Sequence, residues 1–96
     1  MAAFNDDVTV GGAEYVELTD SDCTNFTAQG KGTGYVCLIA STGSQPATDA
    51  GGAIMLASGS ILSGAIADLW PGITGADRVF CKSVLGDSIS VMVSHD

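Results

Sequence analysis

The clearest pattern of apolar and polar positions lies at the end of the chain, over residues 88–94. β-Branched residues alternate there with serines, as Ile89, Val91 and Val93 against Ser88, Ser90 and Ser94. Successive side chains of a strand point to opposite faces, so this alternation predicts a strand with one buried face. Residues 78–84 also have the pattern of a strand, and Gly86-Asp87 is typical of a tight turn. We therefore predict a final hairpin that pairs 78–84 with 88–94.

Five shorter stretches also have the composition of strands. They are residues 8–10, 15–19, 24–28, 35–40 and 53–57. The stretch at 35–40 is apolar throughout, which predicts a strand that is covered on both faces. The large apolar residues of 61–70 are instead spaced more like a helix, and we expect one helical turn that ends before Pro71.

Turn signals separate these stretches at a spacing typical of all-β proteins. Residues 30–34 are glycine-rich and predict a hairpin turn, and residues 41–52 have the composition of a loop. A chain of 96 residues supports one compact core. The sequence therefore predicts a single domain over 1–96. Its fold would be a small all-β sandwich or jelly-roll-like barrel of about six to eight short strands, with at most one helical turn near 61–70.

The charge of the chain excludes several kinds of partner. Eleven acidic residues stand against three basic ones, Lys31, Arg78 and Lys82, for a formal net charge of −8. Nucleic acids and anionic membrane surfaces are both bound mainly through clustered Lys and Arg. Three scattered cations cannot form such a cluster, so we expect no nucleic acid and no membrane as partner. The acidic start of the chain also lacks the pattern of a secretory leader, which predicts synthesis in the cytoplasm.

No residue pattern points to catalysis or to a bound cofactor or metal. The Gly-Lys-Gly-Thr-Gly segment at 30–34 resembles a phosphate loop, but Asn25 stands where that loop needs another glycine. His95 lies next to the end of the chain, which predicts a frayed or packing side chain rather than a general base. Asp20-Ser21-Asp22 is a fragment of a calcium loop without its bidentate glutamate, and turn chemistry explains it. We expect a protein that is not an enzyme.

The cysteines and the single tryptophan leave alternatives open. Cys23, Cys37 and Cys81 form no Cys-x-x-Cys pair, so a zinc site is not expected. They are either buried or half-buried free thiols, which behave as small apolar residues, or members of a disulfide within or between chains. Trp70, next to Pro71, is either a core residue or an interface anchor, and the core interpretation is favoured.

The order of motifs in the second half of the chain suggests a family. A glycine-rich loop and a short strand are followed by ADLWPGI at 67–73, by RVFCKS at 78–83 and by a last strand that ends VMVSHD at 91–96. Residues 15–19 and 35–40 fit the same scheme more loosely. In this organisation the chain resembles small accessory virion proteins of tailed bacteriophages, of the head decoration, cement or fibre type.

The resemblance implies a β-sandwich made in many copies in the host cytoplasm and placed on the virion, at the capsid, neck, collar or tail. Its partners would be copies of itself, with a trimer as the first expectation, and the major capsid or other virion proteins. High apolar content at low charge also favours a homo-oligomer. Virions leave a reducing cytoplasm for an oxidising medium. Cys23, predicted to be the most accessible thiol because it lies in a turn, would then slowly form an inter-subunit disulfide with Cys81 or Cys37 of a neighbour.

The sequence thus supports two functional hypotheses. The first is a non-enzymatic virion structural protein that stabilises the particle by packing between subunits. The alternative is a small β-sandwich binding module that recognises a carbohydrate or receptor. That second function calls for exposed aromatic side chains on one face or loop rim, and most aromatic residues of this chain fall within predicted strands.

Overall fold

The structure is a computed structural model that describes residues 4–11, 14–19, 22–57, 59–84 and 88–96. Within these ranges the chain forms eight strands and one short helix, which confirms the predicted all-β class. The elements in chain order are β1 (Phe4–Val10), β2 (Val16–Glu17), β3 (Asn25–Lys31), β4 (Tyr35–Ser41), β5 (Ile54–Ala57), β6 (Ile61–Ala65), α1 (Ile66–Leu69), β7 (Arg78–Ser83) and β8 (Ile89–His95).

The strands form two antiparallel sheets of four strands each. Sheet A has the order β1-β8-β3-β6 and sheet B the order β2-β7-β4-β5. Strand β1 pairs with β8, β2 with β7, β3 with β6 and β4 with β5. The chain therefore runs as one long antiparallel hairpin with residues 42–53 at its turn, and successive strand pairs fall alternately in the two sheets. This order is that of an eight-stranded jelly roll, so the predicted sandwich takes its jelly-roll form.

The core lies between the inner faces of the two sheets. From sheet A, Ile89, Val91 and Val93 of β8 point inward and are buried, which confirms the predicted alternation. From sheet B, the inward residues include Leu38 of β4 and Val79 of β7. Full burial of an aliphatic side chain contributes about 1.5–3 kcal/mol, so the facing rows of branched side chains hold the sheets together.

A second, smaller apolar cluster lies on the outer face of sheet B. It consists of Tyr15, Ile39 and Phe80, and Ala50 and Ala53 at the end of loop 42–53 pack against it. The loop is held in place because Gln45 Nε2 donates a hydrogen bond to the carbonyl oxygen of Tyr15 at 2.8 Å. Strand β4 is therefore covered on both faces around Ile39, as its apolar sequence predicts.

The predicted final hairpin is wrong. Strand β7 lies in sheet B between β2 and β4, whereas β8 lies in sheet A between β1 and β3. Both strands have an apolar inner face, and placing them in opposite sheets packs those faces across the core. The Gly86-Asp87 turn on which the prediction rested lies outside the described residues.

Of the glycine-rich segment 30–34, the first two residues end strand β3 and residues 32–34 form a turn, but the turn does not close a hairpin. It leads from β3 in sheet A to β4 in sheet B. Gly32 and Gly34 both have φ of 106°, a backbone region that residues with a Cβ rarely adopt. These two glycines let the chain change sheets within a few residues.

Residues 61–70 divide into two elements. The expected helical turn is α1, which covers only Ile66–Leu69 and is followed by Trp70 and Pro71. Residues 61–65 form the edge strand β6 instead, paired with β3. Leu62 packs against the core from this strand, and Ile66 is buried there from the helix. The spacing that resembled a helix thus arises from a strand and a helical turn in succession.

Candidate functional site

Trp70 is a core residue. Its side chain is only 6% exposed, and its ring stacks on Phe26 with the centroids 6.1 Å apart and 20° between the planes. Its Nε1 donates a hydrogen bond to the carbonyl oxygen of Gly52 at 3.2 Å. The favoured core interpretation is confirmed, because a side chain so deeply buried offers a partner almost no surface.

The expectation that Cys23 is the most accessible thiol is wrong. Its side chain is 3% exposed and belongs to the core cluster, and its N–H donates to the carbonyl oxygen of Asp77 at 2.9 Å. Burial, with smaller contributions from nearby carboxylates such as those of Asp96 and Asp77, raises the pKa of the Cys23 thiol to about 11. The composition of the segment indicates a turn but not the direction of the Cys23 side chain, which points into the core. The predicted inter-subunit disulfide of Cys23 required an accessible thiol, and the Cys23 thiol is buried.

The other two cysteines lie on opposite faces of sheet B. The register places Leu38 opposite Cys81 and Cys37 opposite Lys82. Cys81 is buried in the core, and burial, with a smaller effect of Cys37, raises the pKa of its thiol to about 12. Cys37 is half-buried on the outer face, and all three thiols are free. Cys37 is thus the most accessible of the three.

We expect the native chain to react at one thiol only. A small thiol reagent such as DTNB should titrate Cys37 in the folded monomer, because buried thiols with raised pKa values react slowly. Denaturant should then release Cys23 and Cys81. Cys37→Ser should remove the native reaction, and Cys23→Ser should leave it unchanged. Labelling of Cys23 or Cys81 in the folded chain, located by peptide mass spectrometry, would contradict the burial pattern.

His95 packs within the fold and is not frayed. Strand β8 lies between β1 and β3, and the ring of His95 stacks on Phe4 with centroids 5.4 Å apart. Its Nδ1 lies 2.9 Å from the carbonyl oxygen of Asp96. The sequence allowed two interpretations of the His95 side chain, of which packing is confirmed and fraying is wrong.

Each of the three basic residues contacts groups of its own chain. Lys31, the last residue of β3, forms an ion pair with Asp7 at 3.1 Å. Arg78 bridges two acids, with its Nε 2.9 Å from Asp22 and a terminal nitrogen 3.3 Å from Glu17. Lys82 lies over the Tyr15 ring, 5.0 Å from its centroid, and donates to the carbonyl oxygen of Thr48. The cations are therefore dispersed in local contacts rather than gathered into one phosphate-binding surface.

An exposed apolar surface lies on the outer face of sheet B, beside the part covered by loop 42–53. We call it the docking patch, and it consists of Tyr35, Cys37, Met55, Ala57 and Val84. The β4–β5 register sets Tyr35 opposite Ala57 and Cys37 opposite Met55, and Val84 N donates to the carbonyl oxygen of Tyr35. Tyr35, Met55 and Val84 are 48%, 62% and 38% exposed. The patch could not be predicted from the sequence, since the pattern of a strand does not say where a distant loop will cover it.

A polar groove lies on the outer face of sheet A. Its volume is about 320 Å³, and it is lined by Asn25, Phe26, Thr27, Ser63, Gly64, Ser94, His95 and Asp96. Ser94, Thr27 and Ser63 are register partners on the adjacent strands β8, β3 and β6. The hydroxyl oxygens of Thr27 and Ser63 lie 2.8 Å apart. The groove was not predicted, although the serine face of β8 contributes one of its walls.

Asp96 is the charged group at one end of the polar groove. One carboxylate oxygen accepts hydrogen bonds from the backbone N–H groups of Thr24 at 2.9 Å and Asn25 at 3.1 Å. The other accepts one from the Asn25 side chain at 3.2 Å. The bonds from the Thr24 and Asn25 backbone lower the pKa of the Asp96 carboxyl below its ordinary value. The carboxylate is therefore held in place and stays ionised at neutral pH.

The fold and these surfaces define a small jelly-roll domain with one apolar and one polar outer surface. Comparison with known proteins finds no matching family model, no matching curated protein and no matching solved structure. In the ranges that the structure describes, no group of three or more His, Cys, Asp or Glu side chains is placed to hold a metal ion. In the same ranges no helix has the length and apolar character needed to cross a membrane.

Proposed function

We propose that this chain is a non-enzymatic structural protein of a virus particle, of the capsid decoration, cement, neck or collar type, which stabilises the particle by packing between subunits. The observation that carries the proposal is the docking patch. A chain of 96 residues that exposes three large apolar side chains on one sheet face has surface that its own core does not cover. Such clustered apolar surface is typical of a protein–protein contact.

The fold supports the same function by analogy. Jelly rolls occur in viral capsid proteins and in lectins, and the strand order of this chain is that of a jelly roll. A fold alone does not define a function, because one fold serves many. The resemblance of residues 67–73, 78–83 and 91–96 to phage virion proteins adds a second, sequence-based argument for the particle.

The partner on the docking patch is a second copy of the chain. At a net charge of −8, two copies repel each other overall, and the short-range part of this repulsion is smallest where acids are absent from the contact. The patch residues lie in two cross-strand rows, Val84–Tyr35–Ala57 and Cys37–Met55, the second of which continues to Lys82 outside the patch, and neither row contains an acid. The patch therefore offers copies of this acidic protein a place to meet without close contacts between like charges.

Packing at the docking patch would stabilise an assembly by burying apolar surface. Removal of apolar surface from water contributes about 25 cal/mol per Å². Tyr35 is the aromatic residue of the patch, and aromatic residues at the centre of an interface often supply much of its binding energy. Cys37 would be covered by the same contact, so its reaction with a thiol reagent should slow when the chain assembles.

We expect the purified chain to form an oligomer, with a trimer as first expectation, and expect Met55→Asp to convert it to monomer. The substitution places a charge in the apolar contact, where its burial without a partner costs several kcal/mol. Sedimentation velocity over a range of concentrations measures the change. Ile61→Asp is the matched control, because Ile61 is as exposed as Met55, at 62%, but lies on the outer face of sheet A.

The control should keep the wild-type sedimentation coefficient. A wild-type chain that stays monomeric at high concentration would contradict self-association at the patch. An oligomer that survives Met55→Asp but is lost with Ile61→Asp would move the contact to sheet A.

A further inference from the structure

The polar groove presents hydroxyl groups in a row across sheet A. Ser94, Thr27 and Ser63 of the groove lining are successive register partners on β8, β3 and β6, and Asn5 on β1 continues the row outside the lining. Neighbouring strands lie about 4.8 Å apart, so the row offers hydrogen-bonding side chains at regular short intervals. Serine and threonine hydroxyls both donate and accept, and the Asn5 amide offers both kinds of group as well.

The charges of the groove restrict its ligand. None of the lining residues is Lys or Arg, so the groove has no side chain of fixed positive charge to attract an anion. Asp96 has the single side-chain carboxylate in the lining, and the two oxygens of that group already accept three hydrogen bonds. One engaged carboxylate does not make a metal site. A neutral ligand rich in hydroxyl groups fits these constraints.

The volume of the polar groove and the residues that line it restrict the choice of ligand further. A volume of about 320 Å³ lies at the small end of the range for ligand sites. The aromatic residues of the lining, Phe26 and His95, are buried, so no exposed ring is available to stack on a sugar. Binding of a sugar would then depend on hydrogen bonds alone, and the affinity of a single site of this kind is low.

We propose that the polar groove is a subsite for a neutral carbohydrate, bound through the hydroxyls of Thr27, Ser63 and Ser94 and the side chain of Asn25. A single groove binds a sugar ring weakly, but an assembly with many copies displays many grooves. Linked sites gain overall affinity from their high effective concentration. The groove thus suits recognition of a glycan-covered surface by a multivalent particle and does not suit tight capture of a free sugar.

The test is an NMR titration of the ¹⁵N-labelled chain with the methyl glycosides of glucose, galactose, mannose and N-acetylglucosamine, each to about 50 mM because weak sites are half-filled only at millimolar concentrations. At least one glycoside should shift the amide signals of Thr27, Ser63 and Ser94 in a saturable way. Glycerol at the same concentration should not, since it lacks the fixed geometry of a ring.

Thr27→Val removes one hydroxyl while keeping the shape of the side chain, and it should weaken binding tenfold or more. Thr9→Val is the matched control, because Thr9 lies on the same outer face, on β1, away from the groove. The control should bind like wild type. The absence of saturable shifts with every glycoside, shifts confined to other residues, or full binding by a folded Thr27→Val chain would overturn the assignment. Since the titration uses the isolated chain, such a failure would leave the assembly proposal standing.

Discussion

Replacing Val91 by aspartate is expected to leave the chain largely unfolded at room temperature. Val91 is fully buried in β8, with Val8 and Gly30 as its register partners on the two neighbouring strands. None of these neighbours can pair with a carboxylate. Burial of an unpaired charge costs several kcal/mol, which is comparable to the roughly 5–15 kcal/mol that stabilises a whole domain. Circular dichroism and urea denaturation measure the loss.

Ser90→Asp is the matched control for Val91→Asp. Ser90 precedes Val91 in the same strand but lies on the outer face, where its register partner on β3 is Lys31. A surface substitution of this kind should change the free energy of unfolding by less than about 0.5 kcal/mol. A Val91→Asp chain that melts like wild type would show that this face of β8 is not the core.

Trp70→Ala is expected to lower the free energy of unfolding by about 3–5 kcal/mol. The substitution removes the ring that stacks on Phe26, and it leaves the carbonyl oxygen of Gly52 without its indole donor. The two changes act at different places, since the ring contact lies in the core between the sheets and the hydrogen bond holds Gly52, near the end of loop 42–53. The midpoint of urea unfolding should fall accordingly.

Trp70→Phe separates the two contributions of the tryptophan. It keeps an aromatic ring against Phe26 and removes the hydrogen bond to Gly52, which should cost about 1–3 kcal/mol. The phenylalanine variant should therefore be intermediate between wild type and Trp70→Ala. If Trp70→Ala cost less than about 1 kcal/mol, the side chain would not be the core residue that the structure places there.

The strand pattern of this chain could be predicted because it is local. The alternation at 88–94 reflects the two faces of one strand, and Ile89, Val91 and Val93 are indeed the inward residues of β8. The continuous apolar sequence at 35–40 likewise predicts a strand that is covered on both faces. The all-β class follows from such patterns and from the glycine-rich turns between them.

The neighbours of each strand could not be predicted, because pairing depends on distant parts of the chain. A period of two shows that β7 and β8 each have a buried face, but not whether they lie side by side or across the core. The predicted hairpin failed for this reason. The predicted accessibility of Cys23 was wrong for a related reason, since turn composition does not fix the direction of a side chain.

Neither the polar groove nor the docking patch could be predicted from the sequence, and the physical reason is the same for both. The polar groove combines side chains from β3, β6 and β8, and the docking patch combines β4, β5 and the residue after β7. Residues so far apart in the chain come together only through the jelly-roll order. Neither surface has a sequence motif that would mark it.

The two surfaces belong to the outer faces of different sheets, and this arrangement links the two proposals. Packing of copies through the docking patch on sheet B would leave the outer face of sheet A free, with the polar groove on it. A particle built in this way would be stabilised by one face of each subunit and would display the other. The groove would then be repeated over the particle surface, as multivalent binding requires.

The proposed role of the chain as a structural component of a virus particle can be tested by quantitative mass spectrometry of purified particles. Particles should be purified to constant composition, washed at high salt and digested with and without reductant. We expect peptides of this chain in many copies per particle, in a fixed ratio to the major coat protein. Absence of these peptides from intact particles, or a variable trace that washing removes, would contradict the proposed role.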